Sequence, residues 1–344
     1  MPRPIALVLL TALSAPHALA LHSTVFTDAD AAFTRARAVA DNAQTLTPEE
    51  ASAANSLFTS ALETSPNARW ELGLALVAFD ARDFKKAESH AQRAAELDPD
   101  MAEAHYWLAN ALFSGINDAG FLEKGSIASR GRKAYERTIE LDPNHVEARY
   151  GLAQFFAGAP GIAGGSDKKA REQGEQLLTI DGGAVLGNLL LAQLASKDKN
   201  WDETAARYSA ASAAATTDDD RLTARRAHAS TLLRGKKDPN AALPLAESLV
   251  TDFPEDVTSR YLLGLTRAEL KDYKGAVESL TKAHEMRPDS ANVLYALAEA
   301  QRDAALLEPA LASFDAFIAQ HEKDKRVSDA KSEAKKLRKK LGKK

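Results

Sequence analysis

VTSRYLLGLTRAELKDYKGAVESLTKAHEMRPDS, residues 257–290, is the stretch that decides the fold. Residues 291–323 align to it without a gap: Leu263-Gly264 becomes Leu297-Ala298 and Ala276 becomes Ala310, each 34 residues on. Upstream, ARWELGLALVAFDARDFKKAESHAQRAAELDPDM at 68–101 carries the same pattern. Leu74-Ala75, Leu108-Ala109, Leu152-Ala153 and Leu191-Ala192 repeat its first signature. A second signature closes each copy: Leu97-Asp98-Pro99, Leu141-Asp142-Pro143, and in weaker form Ile180-Asp181-Gly182, Phe253-Pro254 and Arg287-Pro288. Between the two stands an aromatic with a small residue three positions on, as in Phe84 and Ala87, Trp201 and Thr204, and Tyr273 and Ala276. A fixed period of this length means stacked units, each too small to bury its own apolar face.

Within 68–101, Trp70, Leu74, Val77 and Ala78 share one face at helical spacing, and Phe84, Ala87, Ala91, Ala94 and Ala95 share another. Each unit is thus two helices, with small residues at the crossing so that they pack closely. Asp-Pro ends a unit because proline cannot continue a helix. Thr47-Pro48-Glu49-Glu50 is a capping box with Pro at the first helical position, so another helix opens at Pro48. Eight pairs follow: 27–67, 68–101, 102–145, 146–183, 184–217, 218–256, 257–290 and 291–323. The expected fold is all-α, a solenoid of about eight antiparallel helical pairs with a C-terminal capping helix.

These signatures resemble the tetratricopeptide repeat over nearly all of the chain after residue 20. The crossing residue is more often Ala than Gly, and 218–256 is degenerate. The resemblance implies a right-handed superhelix whose concave groove is lined by the first helix of each pair. Carried over by position, it places Tyr106 and Asn110, Tyr150 and Gln154, Leu189 and Gln193, Tyr261 and Leu265, and Tyr295 and Glu299 on that face. Tyrosine offers a large contact with a polar tip, and Asn and Gln both donate to and accept from an extended backbone. The other reading is that these tyrosines only pack between helices. Asn110 and Gln154 are expected to be replaceable without loss of stability. The Lys/Arg carboxylate clamp of chaperone-binding relatives is missing from these positions, so an acidic C-terminal tail is not the expected cargo.

The chain has 344 residues, 27% charged and 6% aromatic, with a net charge of −4 and no cysteine, which excludes disulfides, thiol nucleophiles and thiolate metal sites. Arg3, the apolar run Ile5–Leu13 and Ala18-Leu19-Ala20 make residues 1–20 an expected signal peptide, with export to the periplasm or beyond. Residues 21–323 form the expected solenoid and 324–344 a basic amphipathic tail. Residues 322–344 hold 11 Lys/Arg against 4 Asp/Glu, net +7, leaving 33 against 44, net −11, elsewhere. Val327, Ala330, Ala334, Leu337 and Leu341 form an apolar stripe on the tail. The tail reads either as a cap on the last pair or as a contact to an anionic membrane surface.

Two units exceed the period. About ten extra residues fall around Ser114–Gly125 and about five within Gly158–Ser166, both between the helices of their pair. They are expected to project side by side from one edge, with Gly161, Gly164, Gly165 and Ser166 as candidate contacts. The string APGIAGGS is similar to one in envelope tetratricopeptide proteins of bacteria, where it has no assigned role. Its glycines precede a helix with Lys168 and Lys169 nearby, yet the Gly-Lys-Ser/Thr of a phosphate loop is missing. A partner-contact edge and a plain long connection both remain open.

Catalytic signatures are missing. The eight histidines show no i,i+3 or i,i+4 pair, and Asp218-Asp219-Asp220 after Thr217 reads as a helix start rather than a cation site. No catalytic residue, cofactor or metal is expected, and no nucleic-acid partner. The expected function is a non-catalytic adaptor of the cell envelope that holds a protein or peptide in a groove. The alternative is an envelope assembly factor touching a membrane, or a complex in it, through its tail and insertion edge. Partner identity and oligomeric state are not readable.

Overall fold

The computed structural model describes residues 26–41 and 44–342, so the expected signal peptide, residues 1–20, lies outside the described residues. Seventeen α-helices and no strand occur among them. The chain divides into two compact units, Met1–Leu190 and Leu191–Lys344.

In the first unit α1 (Ala29–Asp41) pairs with α2 (Pro48–Thr64), α3 (Ala68–Asp80) with α4 (Phe84–Leu97), α5 (Ala102–Gly115) with α6 (Phe121–Leu141), and α7 (Val146–Gly158) with α8 (Asp167–Leu177). The boundary falls within α9 (Ala184–Lys197), whose sequence partner is α10 (Trp201–Ala214). In the second unit α11 (Asp218–Ser230) pairs with α12 (Pro239–Asp252), α13 (Val257–Glu269) with α14 (Tyr273–Met286), and α15 (Ala291–Asp303) with α16 (Leu307–Gln320). A final helix, α17 (Val327–Lys340), packs on α16. The helices of all eight expected pairs and the added helix are present among the described residues.

Helix starts follow local chemistry. Thr47 and Glu50 close the expected capping box on α2, Ser166 caps α8, and Thr217 caps α11 with the three aspartates in its first turn. Close approach comes from small residues under large ones. A Cβ on Gly264 would lie 2.5 Å from Leu280, one on Gly73 2.7 Å from the Phe58 ring, and one on Gly151 2.5 Å from Tyr135. At the chain's end, Ala330, Ala334 and Leu337 of α17 are buried with Phe314, Phe317 and Leu294, and Val327 and Leu341 pack around them. The tail's apolar stripe is spent on this packing, and Lys331, Lys335 and Lys339 face outward, fully in solvent reach.

The first insertion differs from expectation. It is largely helix: α6 has 21 residues where α4 has 14, and the connection shrinks to a short 3-10 turn at Ile116–Asp118. Helix is the cheaper form, because each added residue satisfies its own backbone groups. The second insertion is a true loop with a 3-10 turn at Gly161–Ala163, and α6 touches it. The degenerate pair 218–256 carries its own irregularity: α11 runs on into a π-helical stretch, Thr231–Gly235, where Trp201 lies against the missing Cβ of Gly235.

One hairpin turn recurs that the sequence pattern did not announce. Arg82, Lys199, Lys237, Lys271 and Ala305 all adopt left-handed backbone, with φ of 55–63°. The residue after each closes the turn: Asp83 N–H bonds Ala78 at 2.9 Å, Asp272 N–H bonds Arg267 at 2.9 Å, and Leu306 N–H bonds Gln301 at 2.9 Å. None is glycine, so each carries strain. Ala305→Gly should raise stability by about 0.5–1 kcal/mol, since relief of ~1–2 kcal/mol of left-handed strain outweighs roughly 0.4–1 kcal/mol of unfolded-state entropy. Urea unfolding measures this, and a loss of stability would show that the strain is not there.

Candidate partner-binding face

The candidate residues sit four apart on the first helices of their pairs, as their spacing dictates. In α5 the pair is Tyr106 and Asn110. Tyr135 of α6 donates its hydroxyl to Asn110 Oδ1 at 2.6 Å. Tyr135 is fully enclosed, and burial drives its phenol far above the ordinary tyrosine range. Burial also pushes Tyr106 up to about 12, with a hydrogen bond to Asn110 opposing the shift. The Tyr106 ring lies 4.6 Å from the ring of His145 and 5.3 Å from that of Trp107. Asn110 is therefore wired between two tyrosines.

Around this knot runs a string of charges. Arg37 of α1 donates to Glu103 of α5 at 2.7 Å, reaching past α3 to do so. His145 Nε2 stands 3.9 Å from Glu103, and Nδ1 stands 3.2 Å from Glu147. Nδ1 also accepts the Ala148 N–H at 3.3 Å, making His145 the cap of α7. The neighbouring His145 side chain holds the Glu147 carboxyl below its usual range, against the upward push of burial. In α7 itself, Gln154 donates to the Tyr150 hydroxyl at 2.7 Å, and burial raises the Tyr150 phenol. Leu189 is a core residue, 8% exposed, and does not face outward as its register suggested.

In the second unit Gln193 is exposed, and Tyr261 is half-buried. Tyr295 packs edge-on to Phe317 at 5.1 Å and Phe314 at 5.9 Å. The Arg326 guanidinium lies 5.0 Å above the Tyr295 ring while bonding Asp324 at 2.9 and 2.7 Å. Burial raises the Glu299 carboxyl, Arg302 opposing it. Tyr106 with Asn110, Tyr150 with Gln154, and Tyr295 with Glu299 are thus brought together. Most of their polar tips are already engaged by the protein's own groups.

The insertion-edge residues have backbone work to do. Gly164 has φ of +94°, and a Cβ on Gly165 would meet the Ala159 carbonyl at 1.8 Å. Ser166 accepts the Lys169 N–H at 3.3 Å, and Gly161 is open to solvent. Sequence reading missed Arg37, Glu103 and Tyr135. None carried a local signal, and histidine is not among the favoured N-cap residues, so the His145 cap did not announce itself either. Among the described residues, no group of three His, Cys, Asp or Glu is placed to hold a metal, and no helix is long and apolar enough to cross a membrane.

A tetratricopeptide repeat profile matches residues 72–128, 121–185 and 227–291, and a second one matches 267–334. This chain belongs to the tetratricopeptide repeat family. Its fold is shared with a tetratricopeptide repeat protein from Parabacteroides merdae at 14% identity, covering 79% of this chain and 98% of that one with a TM-score of 0.50. YrrB, described as a TPR protein with an unusual peptide-binding site, aligns at 17% identity over 70% of this chain and 97% of its own, with a TM-score of 0.37. The APC/C hetero-tetramer Cut9-Hcn1 aligns at 18% identity over 93% and 65%, with a TM-score of 0.45. At 14% identity the likeness to the Parabacteroides merdae protein is one of fold. No curated protein matches the sequence. Family membership supports a protein-interaction scaffold.

The Asn110 contact revises one expectation. Far from being silent for stability, Asn110→Ala should cost about 1–3 kcal/mol, because it leaves the buried Tyr135 hydroxyl without its acceptor. Paired with Tyr135→Phe, which removes the orphan, the loss should shrink by about half or more. Urea unfolding of the single and double variants tests this; additive losses would refute the coupling.

Proposed function

We propose that this tetratricopeptide repeat protein is a non-catalytic scaffold of the bacterial cell envelope, exported by residues 1–20, which holds a protein or peptide partner against the first helices of its pairs. One observation supports the choice of face. In the second unit, Tyr261 and Tyr295 stand one repeat apart, 34 residues, and Glu299 adds a half-buried carboxylate whose protonated form is favoured by burial. Such a carboxylate gains from a donor that replaces lost water, and a partner's backbone N–H or basic side chain supplies one. The tyrosine tips of the first unit are already satisfied internally, so the second unit is the better candidate for contact.

Tyr261→Ala with Glu299→Gln should weaken binding to a partner recovered from envelope extract by about 1–3 kcal/mol, roughly ten-fold or more. Calorimetric titration reads the effect, with melting temperature as the control. An unchanged affinity, with the fold intact, removes this face from consideration.

Cell fractionation addresses the compartment. The mature chain should begin near Leu21 in the exported fraction, and recovery of intact Met1 from the cytoplasm refutes export. The same fractions weigh the membrane reading, supported by the exposed face of Lys331, Lys335 and Lys339 on α17. With the apolar stripe buried, any hold on anionic lipid is electrostatic, so raised salt should release it. Retention through high salt argues against that mode.

A further inference from the structure

The loop between α7 and α8 is fixed by its own backbone. Ala163 N–H bonds Pro160 at 2.8 Å, Gly165 N–H bonds Pro160 at 3.1 Å, and Ser166 N–H bonds Phe156 at 2.7 Å. A loop held this way loses little conformational freedom when something binds it. At its tip Ile162 is 102% exposed, while the other large exposed apolar side chain among the described residues, Leu306, reaches 44%. Ile162 contributes no burial to folding, so its apolar surface is available only to another molecule.

Beside the tip lies a cleft of about 250 Å³ lined by Ser129, Arg132, Phe156, Ala163, Gly164 and Lys169. Its floor is apolar and its rim is cationic. Lys169 Nζ is held 5.4 Å from the Phe156 ring and pairs with no carboxylate among the described residues. Arg132 bonds Glu136, leaving further donors of its guanidinium for a second acceptor. The volume is below the ~300–1,000 Å³ of small-molecule pockets, a size suited to one side chain.

We propose that this edge docks a segment of a partner protein in which an acidic side chain stands next to an aliphatic one. The carboxylate enters between Arg132 and Lys169, with the Ser129 hydroxyl as a further donor, and the aliphatic neighbour packs on Ile162. Two cations at the mouth select the charge. The apolar tip, placed directly before the Ala163 and Gly164 that line the cleft, selects the neighbour. The site shares no residue with the first-helix face, so either can fail without the other.

A phage-displayed random peptide library, selected on the full chain, tests this. Enriched peptides should carry Asp or Glu beside Leu, Ile or Val. As synthetic peptides read by fluorescence anisotropy, they should lose about ten-fold or more in affinity with Ile162→Ser, and as much with Arg132→Gln plus Lys169→Gln. Binding should weaken as salt rises and should ignore Tyr261→Ala with Glu299→Gln. Ile162→Ser should fold normally because its side chain touches nothing, and Lys169→Gln alone carries the charge test if the double variant is destabilised. Four results overturn the proposal: no acidic-aliphatic enrichment, affinities unchanged in these variants, Ile162-dependent binding to phosphatidylglycerol vesicles instead of peptide, or Ile162-dependent self-association.

Discussion

Several helix crossings depend on a large side chain resting where its neighbour has no Cβ, because two helices carrying bulky residues at a crossing cannot approach closely enough to exclude water. Phe58 on Gly73, Tyr135 on Gly151, Phe113 on Gly131 and Leu280 on Gly264 all make this contact. Where the neighbour is alanine the crossing is buried too: Ala298, Phe314 and Phe317 share one cluster. A single pair buries too little to be stable, so the two contacts that link one pair to the next, Phe58 on Gly73 and Tyr135 on Gly151, matter beyond their own helices. Much else, from the ring pairs to the placement of α17, follows from that stacking.

The same stacking gives the tyrosines two duties. Tyr135 fills a glycine notch with its ring and holds Asn110 with its hydroxyl. Tyr295 packs on two phenylalanines and carries Arg326 on its other surface. An aromatic body with a polar tip suits such positions, since the ring is buried while the hydroxyl finds a partner. In each unit, side chains held by internal bonds in this way keep little freedom of their own to lose on any later contact.

Much of this architecture was legible in the sequence, and the residues show why. The period of 34 is a one-dimensional signal, so eight pairs could be counted from the repeated signatures and the Thr47 capping box. Caps are equally local: Thr47, Ser166 and Thr217 all sit at the starts their side chains announce. That Tyr106 and Tyr295 lie on the first helices of their pairs was readable, but what covers each ring was not, because Tyr135 and Arg326 come from other helices or turns. Length alone showed extra residues after Ser114 without saying that they prolong α6. The left-handed turns escaped notice because lysine and arginine, not glycine, occupy most of them.

The ion pair from Arg37 to Glu103 joins α1 to α5 and skips the pair between them, 66 residues apart in the chain. Repeat arrays usually unravel from their ends, because each unit senses only its immediate neighbours. A tie across an intervening pair changes that arithmetic: the outermost helices cannot peel away without also releasing a charge anchored two steps inward. With both side chains about a third exposed, the pair is worth about 0–1 kcal/mol, so it opposes fraying of α1 without abolishing it. The N-terminal helices would then resist the local openings that expose a terminus to proteases.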